Sequence, residues 1–92
     1  MKSIEEVKNE ILQLAGVKCE EKDALIKNIE DAFTGFEFEG VSEIFITKID
    51  TFDDDEYGQL DIIRAGTAIN GSPCVYFTVD NDKGVYQIIR VS

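Results

Sequence analysis

The stretch from Ile44 to Ile63 reads IFITKIDTFDDDEYGQLDII, and in it the chain changes its period. Upstream, apolar residues recur every three to four positions; from here on they cluster in short runs rich in β-branched and aromatic side chains, the pattern of strands. Ile44-Phe45-Ile46-Thr47 lies on one side of Asp53-Asp54-Asp55-Glu56-Tyr57-Gly58, and Leu60, Ile62 and Ile63 lie on the other. Strand, acidic loop, strand is the reading that follows. Working outward, strands are expected over Val41–Thr51, Gln59–Ile69, Pro73–Asp80 and Val85–Val91. Asn70-Gly71 carries a type I′ turn signal, and Asp80-Asn81-Asp82-Lys83-Gly84 suits a short hairpin loop, so sequential strands pair antiparallel. Pro73 is tolerated at a strand start.

Toward the N-terminus the period is helical. Ser3 and Glu6 have capping-box spacing, with the hydroxyl accepting the Glu6 N–H and the carboxylate reaching back to the Ser3 N–H. Ile4, Val7, Ile11, Leu14 and Ala15 then form one apolar stripe, and Gly16 ends the helix. A second helix is expected from about Glu20, with Glu20, Glu21 and Asp23 at its positive end and Leu25, Ile26, Ile29, Ala32, Phe33 and Phe36 as its stripe, ending at Gly35. The predicted architecture is α+β in the order ααββββ: a helical hairpin over residues 1–36 covering one face of a four-stranded antiparallel meander over 37–92, in a single domain. The other face is expected to be wholly or partly open.

Strict alternation sends Val75, Phe77, Val79, Val85, Ile89 and Val91 toward the helices and Tyr76, Thr78, Tyr86, Ile88 and Arg90 away from them. Arg64 joins that outer set, so Arg64, Tyr76, Tyr86 and Arg90 form a candidate interface of residue types enriched at binding hot spots. If the first strand begins near Phe36, then Phe36, Phe38, Ile44 and Ile46 share one face and Glu37, Glu39 and Glu43 the other, unless Gly40 inserts a bulge.

Charge is the other strong signal. The 92 residues carry a net −10, and Glu37, Glu39, Glu43, Asp50, Asp53, Asp54, Asp55, Glu56 and Asp61 lie within one segment opposed only by Lys48. Such a field repels nucleic acid and anionic membranes and attracts basic surfaces. With 43% hydrophobic residues the chain has the material for a core, and no apolar run approaches the ~20 residues of a membrane helix. The absence of a signal-like N-terminus makes the cytoplasm the expected location.

The sequence offers no catalytic kit. Without histidine neither cysteine has an imidazole partner, and the hydroxyl residues lack the usual base. No cofactor motif is present, and Gly66 to Gly71 lacks the phosphate-loop lysine. Asp80 to Gly84 does not match a calcium loop, because lysine and glycine come too early and no glutamate follows, so no metal site is expected. Cys19 and Cys74 read as free thiols rather than a disulfide framework.

Small, acidic domains without catalytic residues often inhibit nucleic-acid enzymes stoichiometrically, as immunity proteins against toxins or as phage anti-defence proteins of the anti-CRISPR type. The analogy is one of class and charge, with no shared motif. It gives the expectation of a non-enzymatic inhibitor whose 37–61 segment, Tyr57 included, occludes the basic nucleic-acid-binding surface of a nuclease or CRISPR effector. Phe52, Tyr57, Tyr76 and Tyr86 are the aromatic anchors expected to slow dissociation. The alternative is an interaction or assembly domain, monomer or homodimer, that uses the outer sheet face.

Overall fold

The computed structural model describes residues 1–68, 71, 73–80 and 85–91. Helix α1 runs Ile4–Gln13, with Ser3 as its extended N-cap and the Glu6 N–H donating to Ser3 Oγ at 3.1 Å. The reciprocal bond differs from expectation: Ser3 Oγ donates to Glu6 Oε1 at 3.3 Å, so the carboxylate meets the hydroxyl. Gly16 follows the helix with a φ of 82°, the left-handed conformation that glycine adopts without a Cβ clash.

Helix α2 runs Lys22–Ala32, inside the span from about Glu20 to Gly35 that the sequence predicts, and ends before Phe33 and Phe36 of its stripe. Phe33 and Phe36 are nonetheless buried just beyond it, their rings edge to face at 5.8 Å. The two helices are tied at one end through Lys2, whose N–H donates to Gly35 O and whose ammonium reaches Ala32 O at 3.0 Å and Glu10 Oε2 at 2.7 Å. A cation on the last carbonyls of α2 also opposes the negative end of its dipole.

Strands β1 (Phe45–Asp54), β2 (Gly58–Gly66), β3 (Cys74–Asp80) and β4 (Gln87–Val91) form one antiparallel sheet in sequential order. The fold is thus α+β, with two helices followed by a four-stranded antiparallel sheet. The turn expected at Asn70-Gly71 and the loop from Asn81 to Gly84 include residues outside those described. Val7 and Ile11 of α1, Leu25 and Ile29 of α2, and Ala65, Val75, Phe77, Val79 and Ile88 of the strands belong to one buried cluster. Each fully buried aliphatic side chain there contributes roughly 1.5–3 kcal/mol.

Two bulges reset the alternation. In β1, Lys48 pairs with Ile63 and Asp50 with Ile62, which leaves Ile49 as the extra residue. In β4, Arg90 pairs with Thr78 and Ile88 with Val79, which leaves Ile89 extra. The second bulge corrects the expected faces. Ile88, not Ile89, lies in the core beside Val79, and Tyr86 packs against the same cluster rather than on the opposite face.

The two sheet edges are treated differently. The connection between the helices lies along β4: the Gly16 N–H donates to Ile88 O at 3.0 Å, and Cys19 and Tyr86 exchange both backbone bonds at 2.9 and 2.8 Å. Among the described residues nothing pairs with the outer edge of β1. Its bulge and its charges are the devices that discourage a stray strand from adding there.

Candidate functional site

The acids divide by what surrounds them. At the β1–β2 turn, Asp53 and Asp54 still belong to β1, and the chain reverses through Asp55, Glu56 and Tyr57 before Gly58, whose φ is 83°. Asp54 builds this turn: its Oδ2 accepts the N–H groups of Glu56 at 3.1 Å and Tyr57 at 3.2 Å. Its other oxygen lies 4.0 Å from Arg90 Nη2. Asp54 is therefore a largely committed turn residue and not the free tip charge that the run of four acids suggested. Asp61 is corrected more fully, since it is buried beside Val79 and accepts the Thr51 hydroxyl at 2.9 Å. Asp50, Asp53, Asp55 and Glu56 are exposed, and Tyr57 is half-buried.

Glu37, Glu39 and Glu43 are exposed but occupy no strand. Phe38 and Val41 exchange both backbone hydrogen bonds at 2.9 Å around Glu39-Gly40, whose φ angles of 52° and 81° are those of a type I′ turn. The shared face expected for Phe36 and Phe38 is lost in this reversal, for Phe36 is buried while Phe38 is 43% exposed. The two acidic groups also sit at opposite ends of β1. Ten extended residues separate them by roughly 30 Å, so they frame an edge instead of forming one ridge.

The face opposite Val75, Phe77 and Val79 is only partly open. Arg64 is buried and donates to Ala68 O at 2.8 Å, so it is not available as an exposed interface cation. A flat sheet would hold β1 and β4 about 14 Å apart, yet Asp54 and Arg90 meet across β2 and β3. Coiling of the sheet accounts for that approach, and Leu60, outside the main cluster, is fully buried on this face. With Tyr86 turned inward and Arg64 covered, Tyr76, at 38% exposure, and Arg90 are what remains exposed of the four outer-face candidates.

A cleft of about 30 Å³ between α2 and the sheet is lined by Lys22, Leu25, Ile29, Asp61, Phe77 and Tyr86. That is space on the scale of a water molecule. Cys19 is buried, with the Asn28 amide 3.8 Å from its sulfur, and Cys74 is half-buried; both are free thiols. Among the described residues no three acids or thiols come together as a metal-holding group, and no helix is long and apolar enough to cross a membrane.

Sequence reasoning places Phe38 and Val41 in an extended strand and misses the turn between them. The signal was present: a residue followed by glycine, flanked by apolar positions, is a two-residue hairpin turn, but asparagine or aspartate is usual where this chain has Glu39. Comparison with protein-family models, curated proteins and solved structures finds no match for this chain.

Proposed function

We propose that this protein is a non-enzymatic inhibitor that lays the free edge of β1 and the β1–β2 turn on a basic nucleic-acid-binding surface of a nuclease or CRISPR effector, in an anti-defence or toxin-immunity role. The supporting observation is the placement of Asp50, Asp53, Asp55 and Glu56, all exposed, along the one sheet edge that no described segment covers. We take the helical hairpin to cover the inner face of the sheet, which leaves this edge and its turn to meet a partner. A groove built for phosphates is lined with Lys and Arg, and the acids that run from Asp50 over roughly 13 Å of strand into the β1–β2 turn are complementary to it over a few phosphate spacings. Attraction of this kind raises association rates toward ~10⁸–10⁹ M⁻¹s⁻¹ at low salt and fades as salt screens it.

The test begins with capture of host or source-cell proteins at low and high salt, followed by assay of the captured protein for nucleic-acid binding. A nucleic-acid enzyme that elutes with salt and loses its substrate when this protein is added is the expected outcome. Changing Asp50, Asp53 and Asp55 to Asn and Glu56 to Gln should then weaken inhibition at least tenfold with little change in thermal stability. Undiminished inhibition by that variant would overturn the reading. Tyr76→Ala separates it from the outer-face alternative, under which that substitution abolishes binding and salt has little effect.

A further inference from the structure

At the end of the molecule away from the β1–β2 turn, apolar side chains stand in solvent among acids. Phe38 and Val41, 43% and 44% exposed, flank the Glu39-Gly40 turn. Open clefts of about 310 Å³ and 220 Å³ share Gly35, Phe36 and Ser42 at the base of this knuckle; Met1 and Glu37 complete the first, and Glu30 and Ile44 border the second. From Asn28 to Thr47 the chain has no Lys or Arg, while Glu30, Asp31, Glu37, Glu39 and Glu43 lie within it. Of these acids Asp31 is paired with Lys27 at 3.4 Å, and the ammonium of Lys2, whose backbone N–H bonds Gly35 O, is engaged with Glu10 and Ala32. Glu39 is also held at a φ that costs an ordinary side chain roughly 1–2 kcal/mol.

We propose that this end is a docking site for a basic amphipathic segment of the partner protein, one with Leu, Phe or Trp on one face and Lys or Arg on the other. The proposal rests on the reading that the partner is basic and adds the contact that holds it. Apolar side chains of the segment pack on the exposed Phe38 and Val41 and reach toward the neighbouring clefts, and its cations meet Glu30 and Glu37, which border those clefts, and Glu39 and Glu43, which flank or lie in the turn. Charge complementarity chooses this occupant: a purely apolar partner would leave the rim carboxylates desolvated without counter-charges, and an anionic one is repelled. Rim charges mainly set the association rate, whereas buried apolar anchors set residence time, so the two ends of β1 would divide capture from retention.

The probes are two synthetic peptides of equal positive charge, a Lys/Leu amphipathic helix and the same peptide with Ser for every Leu, titrated at low salt into the ¹⁵N-labelled full chain. The Lys/Leu peptide is expected to bind at least about tenfold more tightly, with shifts centred on the amides of Phe38 to Ser42. Phe38→Ser and, independently, Val41→Ser should each shrink that advantage, whereas neutralising Asp53, Asp55 and Glu56 should lower both affinities alike. Equal binding of the two peptides, shifts centred elsewhere, or an advantage that survives both knuckle variants would overturn the proposal while leaving the basic-partner reading standing. Binding of neither peptide would remove both. Sedimentation that shows a wild-type dimer dissociated by Phe38→Ser would assign the knuckle to a second copy of the chain and likewise overturn it.

Discussion

Gly66 sits at the end of β2, paired with Phe45 on one side and Cys74 on the other, and a Cβ built on it would lie 2.6 Å from Pro73 O and 2.9 Å from Cys74 Cβ. The first of these neighbours is backbone, which cannot rotate aside. Gly66→Ala should therefore cost roughly 1–3 kcal/mol, read as a lower urea midpoint with unchanged m-value. Glu39 poses the opposite problem, for the turn's geometry is sound and its residue is unsuited to it. Glu39→Asn should stabilise the protein by several tenths of a kcal/mol to about 1 kcal/mol, because Asn tolerates the left-handed region and is preferred before glycine in this turn. A melting temperature at or below wild type would contradict that. The carboxylates likewise behave as two kinds: Asp61→Asn should lower stability, since a buried acid with the Thr51 hydroxyl on it is disturbed, whereas Asp53→Asn should leave it within about 0.5 kcal/mol.

At the scale of elements, the difference between the sheet edges should be visible in amide exchange. The amides of Gly16, Cys19 and Tyr86 are bonded between β4 and the interhelical connection and should be protected, while β1 amides that β2 does not bond should exchange quickly. Protection along the whole outer edge of β1 in the isolated protein would mean that something covers it. The elements themselves were readable because their signals are local. Ser3 and Glu6 mark the start of α1, Ile4, Val7 and Ile11 its stripe, and the Ile44–Thr47 and Cys74–Val79 runs their strands. What local pattern misses is a change of parity. An extra residue at Ile49 or Ile89 is set by how a twisted strand matches its neighbour, and each bulge reverses every side chain beyond it. Hence strict alternation puts Tyr86 and Ile88 on the wrong face but Val75, Phe77 and Val79 on the right one. The candidate acids were visible as charge, but not their roles: Asp54 builds a turn through local bonds to Glu56 and Tyr57, and only the tertiary structure shows that Asp61 is buried.

For the whole molecule, a net charge of −10 on 92 residues with the acids of one segment spread along β1 implies self-repulsion in the folded state. Raising NaCl from low to physiological concentration should therefore raise the urea midpoint, and the variant neutralised at Asp50, Asp53, Asp55 and Glu56 should respond less. An equal response in the two proteins would place the repulsion elsewhere. The seam between the interhelical connection and β4 also has a kinetic meaning. Residues 15 to 19 find their backbone partners only at 86 to 88, about seventy positions further along the chain. Closures this long are slow relative to hairpins between neighbouring strands. Hairpins between neighbouring strands can therefore close before this seam does, and loss of the partners at Tyr86 and Ile88 would unfasten the interhelical connection while leaving the β1–β2–β3 pairing in place.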